Sequence, residues 1–350
     1  LAALDPKSSV STNSTIPAWC FLKAVCKFIQ FSQIQKLKII FLLPLLRLIF
    51  TIYMLSIDLI EMGLPKAHHY LLGAVGPRPI CFASTINEKG EANLAPFSFF
   101  NVFSSNPPIA IFSPARSGRT GKHKDTFNNV QQVKEVVINL VDYKMVEQMS
   151  LASSPYAPNV DEFVKSGFTP IASEKIKPFR VKEAPIQMEC EVVEVKELGE
   201  EGGAGNLIIC KILKMHIADH VLNDKQMIDQ EKIDLVARMG GDWYCRTDKN
   251  SMFEIKKPIT TKGIGFDQMP EEVLNSKILS GNDLGKLGGI EILPDETAVN
   301  DFKLVELSEL FIELEDDATA LEIALHEKAK EFLAQNELDA AWKTLLSFNN

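Results

Sequence analysis

Residues 186–198 (IQMECEVVEVKEL) and 206–218 (NLIICKILKMHIA), joined by the glycine-rich reversal 199–205 (GEEGGAG), decide the fold. Both runs carry apolar residues in alternating or clustered strand fashion and are long for strands. Shorter runs of the same kind precede them at 78–86, 92–97, 109–113 and 136–141, and a polar loop closing on Gly90, residues 87–90 (NEKG), gives a hairpin signal between the first two. Helical pieces intervene at about 123–133, 143–152 and 160–166. Long strands with non-local pairing and few helices predict a mainly β fold, an antiparallel barrel rather than an alternating βαβ sheet.

The chain has 350 residues, with 37 Lys and Arg against 46 Asp and Glu, a net charge of −9. That length holds one large or two ordinary domains, and average apolar and charged contents exclude a disordered or fibrous chain. The acidic balance argues against nucleic acid as the main partner, because phosphate contacts need surplus Lys and Arg. Six scattered cysteines without a CxxC pair read as reduced intracellular thiols, so the expected setting is cytoplasmic.

Outside the barrel region the character changes. Residues 39–55 (IIFLLPLLRLIFTIYML) form an apolar run of 17 broken by Pro44 and Arg47. A spanning helix needs roughly 20 apolar residues, and a central Arg costs about 2.5–3.5 kcal/mol. An anchor, a partner-packing helix and a non-native extension all compete. The abrupt change at Met54 favours a native start at Met54 or Met62, with 1–53 a non-native or disordered hydrophobic extension and a membrane role only if 39–55 is native. A barrel domain is expected over 54–250, then a glycine-rich irregular extension lying over it at 251–301. A helical segment follows at 302–350, where Leu321, Ala324, Leu325, Ala329 and Leu333 share a face. Its helical hairpin is of repeat-protein type, but one copy reads as a C-terminal cap or dimer contact.

The chemistry concentrates between residues 77 and 130. Residues 93–101 (NLAPFSFFN) carry too many polar side chains and too much proline for a plain core strand. They offer an amide, hydroxyls, aromatic faces and backbone groups at close spacing. Residues 113–126 (SPARSGRTGKHKDT) then gather Arg116, Arg119, Lys122 and Lys124 before a helix that Asp125 or Thr126 can cap. The free N–H groups of a helix start with cations beside them make an anion site. Such a surface suits a flat ring with one polar edge and a phosphate tail: flavin mononucleotide, pyridoxal phosphate or a nucleotide.

From Gly73 to Arg246 the chain resembles the flavin reductase-like, FMN-binding split-barrel family, including its flavoredoxin-type branch. The matching pieces are 76–79 (GPRP), 83–85 (AST), Gly90 with 93–100 (NLAPFSFF), 106–108 (NPP), 124–126 (KDT), 137–140 (VINL), 154–156 (SPY), 161–163 (DEF) and 238–246 (RMGGDWYCR). The resemblance implies a six-stranded antiparallel Greek-key split barrel with peripheral helices, a homodimer with FMN near the subunit interface. Position by position it implies that Thr85, Asn93, Ala95, Pro96 and Ser98 contact the ring and ribityl chain, with Phe99 flanking. It further implies that Arg116, Lys124, Asp125 and Thr126 hold the phosphate, with Arg78 a possible addition, and that 238–244 covers the flavin. The extra Arg119 could serve either FMN or a nicotinamide phosphate.

The activity so implied is hydride transfer from NADH or NADPH through FMN to a small acceptor. The alternative is an FMN-binding electron carrier with no nicotinamide site, serving a redox protein; a pyridoxamine-phosphate oxidase-like activity ranks below both. The flavin carries the chemistry, so no catalytic residue is assigned. His216 and His220, spaced HxxxH, lack a third ligand and lie on a strand pattern, so no metal is expected. His68 and His69 read as a surface pair, and Cys81 as a packing residue.

Overall fold

The computed structural model describes residues 54–157 and 160–349; the readings of 1–53 lie outside the described residues. Two units are present, one ending at Thr247 and the other starting at Asp248. In the first, helix α1 (Leu64–Ala74) precedes β1 (Arg78–Pro79), β2 (Cys81–Ile86), β3 (Ala92–Phe97), β4 (Phe100–Ser105) and β5 (Pro108–Phe112). Helix α2 (Asp125–Gln132), β6 (Glu135–Asn139), α3 (Val146–Leu151) and α4 (Glu162–Ser166) follow, with a short pair, β7 (Pro170–Ile171) and β8 (Arg180–Val181). The long strands β9 (Ile186–Glu197) and β10 (Asn206–Ile217), then β11 (Val236–Arg238) and β12 (Tyr244–Arg246), complete it.

Seven strands form one sheet in the order β3-β2-β6-β9-β10-β5-β4, every neighbouring pair antiparallel. Its two end strands, β3 and β4, are consecutive in the chain and joined only by Ser98 and Phe99. Three Cα steps span no more than about 11 Å, so the sheet must curl until its ends nearly meet. Register shifts on β10 between Ile209 and Cys210 and between Ile212 and Lys214 help it to coil. Inside lie Ala83, Phe112, Ile138, Met188 and Ile208, and the Phe97 and Phe112 rings stand 5.6 Å apart beside the break.

The expected strand count of six is corrected to seven by β4. Its residues are mostly exposed, Val102 and Phe103 included, so it shows no buried alternation to read. The expected strand 78–86 also divides at Ile80: β1 pairs with β11 in a separate three-stranded sheet, while β2 joins the large one. Strand β2 is buried along its whole length, because one face meets the inner core and the other a layer with Leu94, Met149, Phe163 and Phe168. That two-sided burial is why it reads as an unbroken apolar run. Phe82 is fully buried there, a contribution of about 1.5–3 kcal/mol. Cys81, Cys190 and Cys210 are buried and unbridged, and burial with neighbouring Glu189 pushes the Cys190 thiol up to about 12.

The second unit is helical: α5 (Glu271–Leu274), α6 (Gly281–Leu287), α7 (Glu296–Glu306), α8 (Ser308–Glu313), α9 (Ala318–Ala334) and α10 (Leu338–Leu346). The stretch 251–301, expected to be irregular, supplies α5, α6 and the start of α7. Val273 and Leu287 from it share one core with Ala329, Leu333 and Trp342, so no separate core begins at residue 302. Trp342 Nε1 donates to Leu287 O at 3.0 Å. Asp317, last of the acidic run 313–317, caps α9 by accepting from Ala320 N. No helix among the described residues is long and apolar enough to cross a membrane.

One buried charge is held on β9. The Glu189 carboxylate, fully buried, accepts from Glu174 N at 2.9 Å, Lys175 N at 2.6 Å and His216 Nε2 at 2.7 Å. Burial works to raise its pKa, but these partners outweigh burial and hold it below the usual carboxylate value. A depressed pKa adds stability above the unfolded value, about 4.3 for Glu, and that stability is lost as pH falls through the lower folded value. Urea unfolding of the wild type and Glu189→Gln should therefore show a stability gap that is full near neutral pH and closes below about pH 4. A gap independent of pH would contradict this.

Candidate functional site

A cavity of about 710 Å³ opens at the break between β3 and β4, within the range of cofactor pockets. Its walls come from four places. Strand β3 and the break give Asn93, Ala95, Pro96, Phe97, Ser98 and Phe99; the segment leading into α2 gives Arg116, Arg119, Lys124, Asp125 and Thr126. Helix α1 contributes Leu64, Pro65, His68 and Leu72, and residues 152–156 with Glu162 close the remaining side.

Local sequence explains these placements. Pro65 sits at the start of α1, where its missing N–H costs nothing. The basic segment is tied by backbone to the β9–β10 loop: Arg116 N donates to Ala204 O at 2.8 Å and Gly203 N to Arg116 O at 3.1 Å. Gly203 has φ +88°, the left-handed region that favours glycine, and it lies against the Leu64 side chain of α1. Helix α2 starts from Lys124 with no side-chain cap. The expected capping by Asp125 or Thr126 is corrected: Asp125 lies in the first turn, and the Thr126 hydroxyl is taken by Asn93 instead.

Behind the wall lies a buried polar network. Asn93 Nδ2 donates to Thr126 Oγ1 at 2.9 Å and to Thr85 Oγ1 at 3.3 Å, and Asn129 Nδ2 donates to Thr85 Oγ1 at 3.1 Å. It binds β2, β3 and α2 together and fixes the Asn93 carboxamide at the cavity edge. With both its amide donations made to hydroxyls, Asn93 keeps its carbonyl oxygen as an acceptor.

Nine of the eleven expected binding residues line the cavity: Asn93, Ala95, Pro96, Ser98, Phe99, Arg116, Lys124, Asp125 and Thr126. Two do not. Thr85 is fully buried one layer back, acting through Asn93. Arg78, expected as a possible phosphate ligand, is 5% exposed, and its guanidinium is engaged with carbonyls of Leu72, Val75 and Met239. Burial and then the charge of Arg238 lower its pKa from the ordinary value. This cation lies within the protein and meets the wall through the Ser98 hydroxyl, which accepts from its Nε at 3.4 Å.

The cationic end is built around Arg116. Its Nη2 pairs with Glu197 Oε2 at 2.6 Å and its Nη1 donates to Gly121 O at 3.3 Å, while its buried Nε has no partner. An arginine donor left unused beside two exposed cations and a helix start fits a bound anion. His123 stacks on Phe127 at 3.8 Å, with Nε2 3.5 Å from the same Glu197 oxygen.

Several lining residues were not assigned from sequence. Helix α1 has no counterpart among the expected helices, although Gly63 and Pro65 mark its start. His68, read as half of a surface pair, lines the cavity. Tyr156 and Glu162 belong to the matching stretches 154–156 and 161–163, and both line the cavity. Glu162 Oε2 accepts from Leu94 N at 3.0 Å, and burial raises its pKa, with Asp125 and Asp161 adding to that and the Leu94 N–H opposing it. His216 of β10 bonds Glu189 of β9, and among the described residues no group of three or more His, Cys, Asp or Glu could hold a metal ion.

Comparison with known proteins places this site in a family. Residues 74–233 match the flavin reductase like domain. An uncharacterized protein of Aquifex aeolicus is 36% identical over 177 residues, covering 50% of this chain and 87% of that protein. The crystal structure of nitrilotriacetate monooxygenase component B from Bacillus cereus is similar with a TM-score of 0.54 and 32% identity, over 58% of this chain and 99% of that one. The Pseudomonas fluorescens 2-nitrobenzoate 2-nitroreductase NbaA is similar at 25% identity and a TM-score of 0.53, over 60% of this chain and all of that one. A curled antiparallel sheet, the matched segment running through its cavity walls and relatives aligned almost end to end lead to one conclusion: the chain belongs to the flavin reductase-like domain family.

Proposed function

We propose that the cavity binds FMN and that the protein is an NAD(P)H-dependent flavin reductase-like oxidoreductase delivering reducing equivalents to a small acceptor. The observation that carries this reading is the polarity of the cavity. Apolar groups (Ala95, Pro96, Phe97, Leu64 and Leu72), hydrogen-bonding groups (Asn93, Ser98 and Thr126) and the cations of the segment leading into α2 (Arg116, Arg119 and Lys124) line one cavity. A ring with a polar edge and an anionic tail uses all three. The bound flavin would supply the two-electron redox chemistry, leaving the chain to bind, orient and shield it. Asn93 would accept from the ring or ribityl chain, and Arg116 and Lys124 would hold the phosphate together with the first-turn N–H groups of Asp125 and Thr126. Neighbours named as a monooxygenase component and a nitroreductase support a redox role. The same reading includes a homodimer, for which the exposed Val102 and Phe103 of edge strand β4 offer apolar contact surface.

Two measurements test it. The purified protein should be yellow or take up added FMN, and its flavin bands should bleach on adding NADH or NADPH. Bleaching only by a redox partner protein would replace the enzyme by an electron carrier, and failure to bind FMN would remove the flavin altogether. In the second, the double variant Arg116→Ala/Lys124→Ala should weaken FMN binding by at least about tenfold, since hydrogen bonds to charged groups contribute about 1.5–3 kcal/mol. Riboflavin, which lacks the phosphate, should bind as before. Equal loss of both, or of neither, would contradict the phosphate assignment.

A further inference from the structure

Helix α1 and the β11–β12 hairpin meet behind the cavity, and one side chain joins them. Arg78 Nη1 donates to Leu72 O at 2.7 Å and to Val75 O, Nη2 donates to Met239 O at 2.9 Å, and Nε donates to Ser98 Oγ at 3.4 Å. The first two acceptors are carbonyls at the C-terminal end of α1, which a helix cannot satisfy itself and where a cation is favoured. The third lies in the hairpin loop, 161 residues away in sequence. The fourth is a lining residue of the break between β3 and β4. The backbones are close enough that a Cβ at Gly240 would lie 2.9 Å from Gly73 Cα.

The geometry points to Arg78 as a positioning residue for the flavin cavity: it clamps the α1 wall, the hairpin and Ser98 in one arrangement without touching the ligand. The inference rests on the FMN reading for its ligand, but the clamp itself is a property of the chain. Helix α1 has only Ala67 buried, so little apolar packing holds it, and its side of the cavity (Leu64, His68 and Leu72) depends on polar ties. Lysine keeps the charge at position 78 but cannot reproduce a planar fork serving four acceptors on three segments.

The experiment is Arg78→Lys in the full chain, read by amide hydrogen exchange without ligand and by affinity for both FMN and riboflavin. Exchange should accelerate in residues 64–75 and 239–243 while β9 and β10 stay as in the wild type. FMN and riboflavin should both weaken by the same factor, about tenfold, the scale of one or two buried carbonyls losing a donor. A loss confined to FMN would overturn the proposal by making Arg78 a phosphate ligand. Unchanged exchange in the two segments would also overturn it, as would equal acceleration in β9 and β10, which would make Arg78 a general stability residue. If the wild type binds neither flavin, the FMN reading fails, and the exchange comparison still decides whether the clamp exists.

Discussion

Everything at the site follows from a connection too short for a flat sheet. Strands β3 and β4 stand at opposite ends of the seven-strand order, yet Ser98 and Phe99 are all that separates them in the chain. The sheet has to roll up, and the apolar faces of β2, β5, β6, β9 and β10 then share one interior. Because β3 and β4 do not pair, the roll is left open along one seam. The two linking residues lie on that seam, so the constraint that curls the sheet also puts Ser98 and Phe99 in the cavity wall.

The seam would be a liability if its backbone were left to water and stray strands. Here the chain supplies its own cover. Helix α1 is seated against Gly203, and the segment before α2 is tied by backbone to Ala204 and Gly203, so both covers are anchored on the β9–β10 loop. Beneath them, the two amides and two hydroxyls of Thr85, Asn93, Thr126 and Asn129 hold β2, β3 and α2 in register. Each member of such a network has a partner, which is what makes it affordable in a dry interior.

Much of this was legible in the sequence, for physical reasons that also explain the failures. The long strands β9 and β10 and the helices at 125–132, 146–151 and 162–166 announce themselves because burial imposes a period on them. Strand β4 escapes because its side chains face solvent, and α1 because its inner face lines a cavity rather than a core. The cavity residues from Asn93 to Phe99 stood out by excess polarity in a strand context. Arg78 illustrates the limit: the resemblance offers it as a possible phosphate ligand, but its acceptors are three carbonyls, one of them on Met239, and the Ser98 hydroxyl, and no local pattern reports them. Thr85 fails more gently, one layer behind the surface its neighbour presents.

The pairing of Arg116 with Glu197 bears on which anions the basic end can retain. Glu197 is a resident counter-ion, so an anion on the unpartnered Nε would share Arg116 with it instead of filling a bare positive site. A monoanion would gain little there, with one negative charge already beside the guanidinium. A dianion would keep a charge in hand for Arg119 and Lys124, which are exposed and screened by salt. The ion pair would thus set a threshold, discriminating by valence before any shape is read.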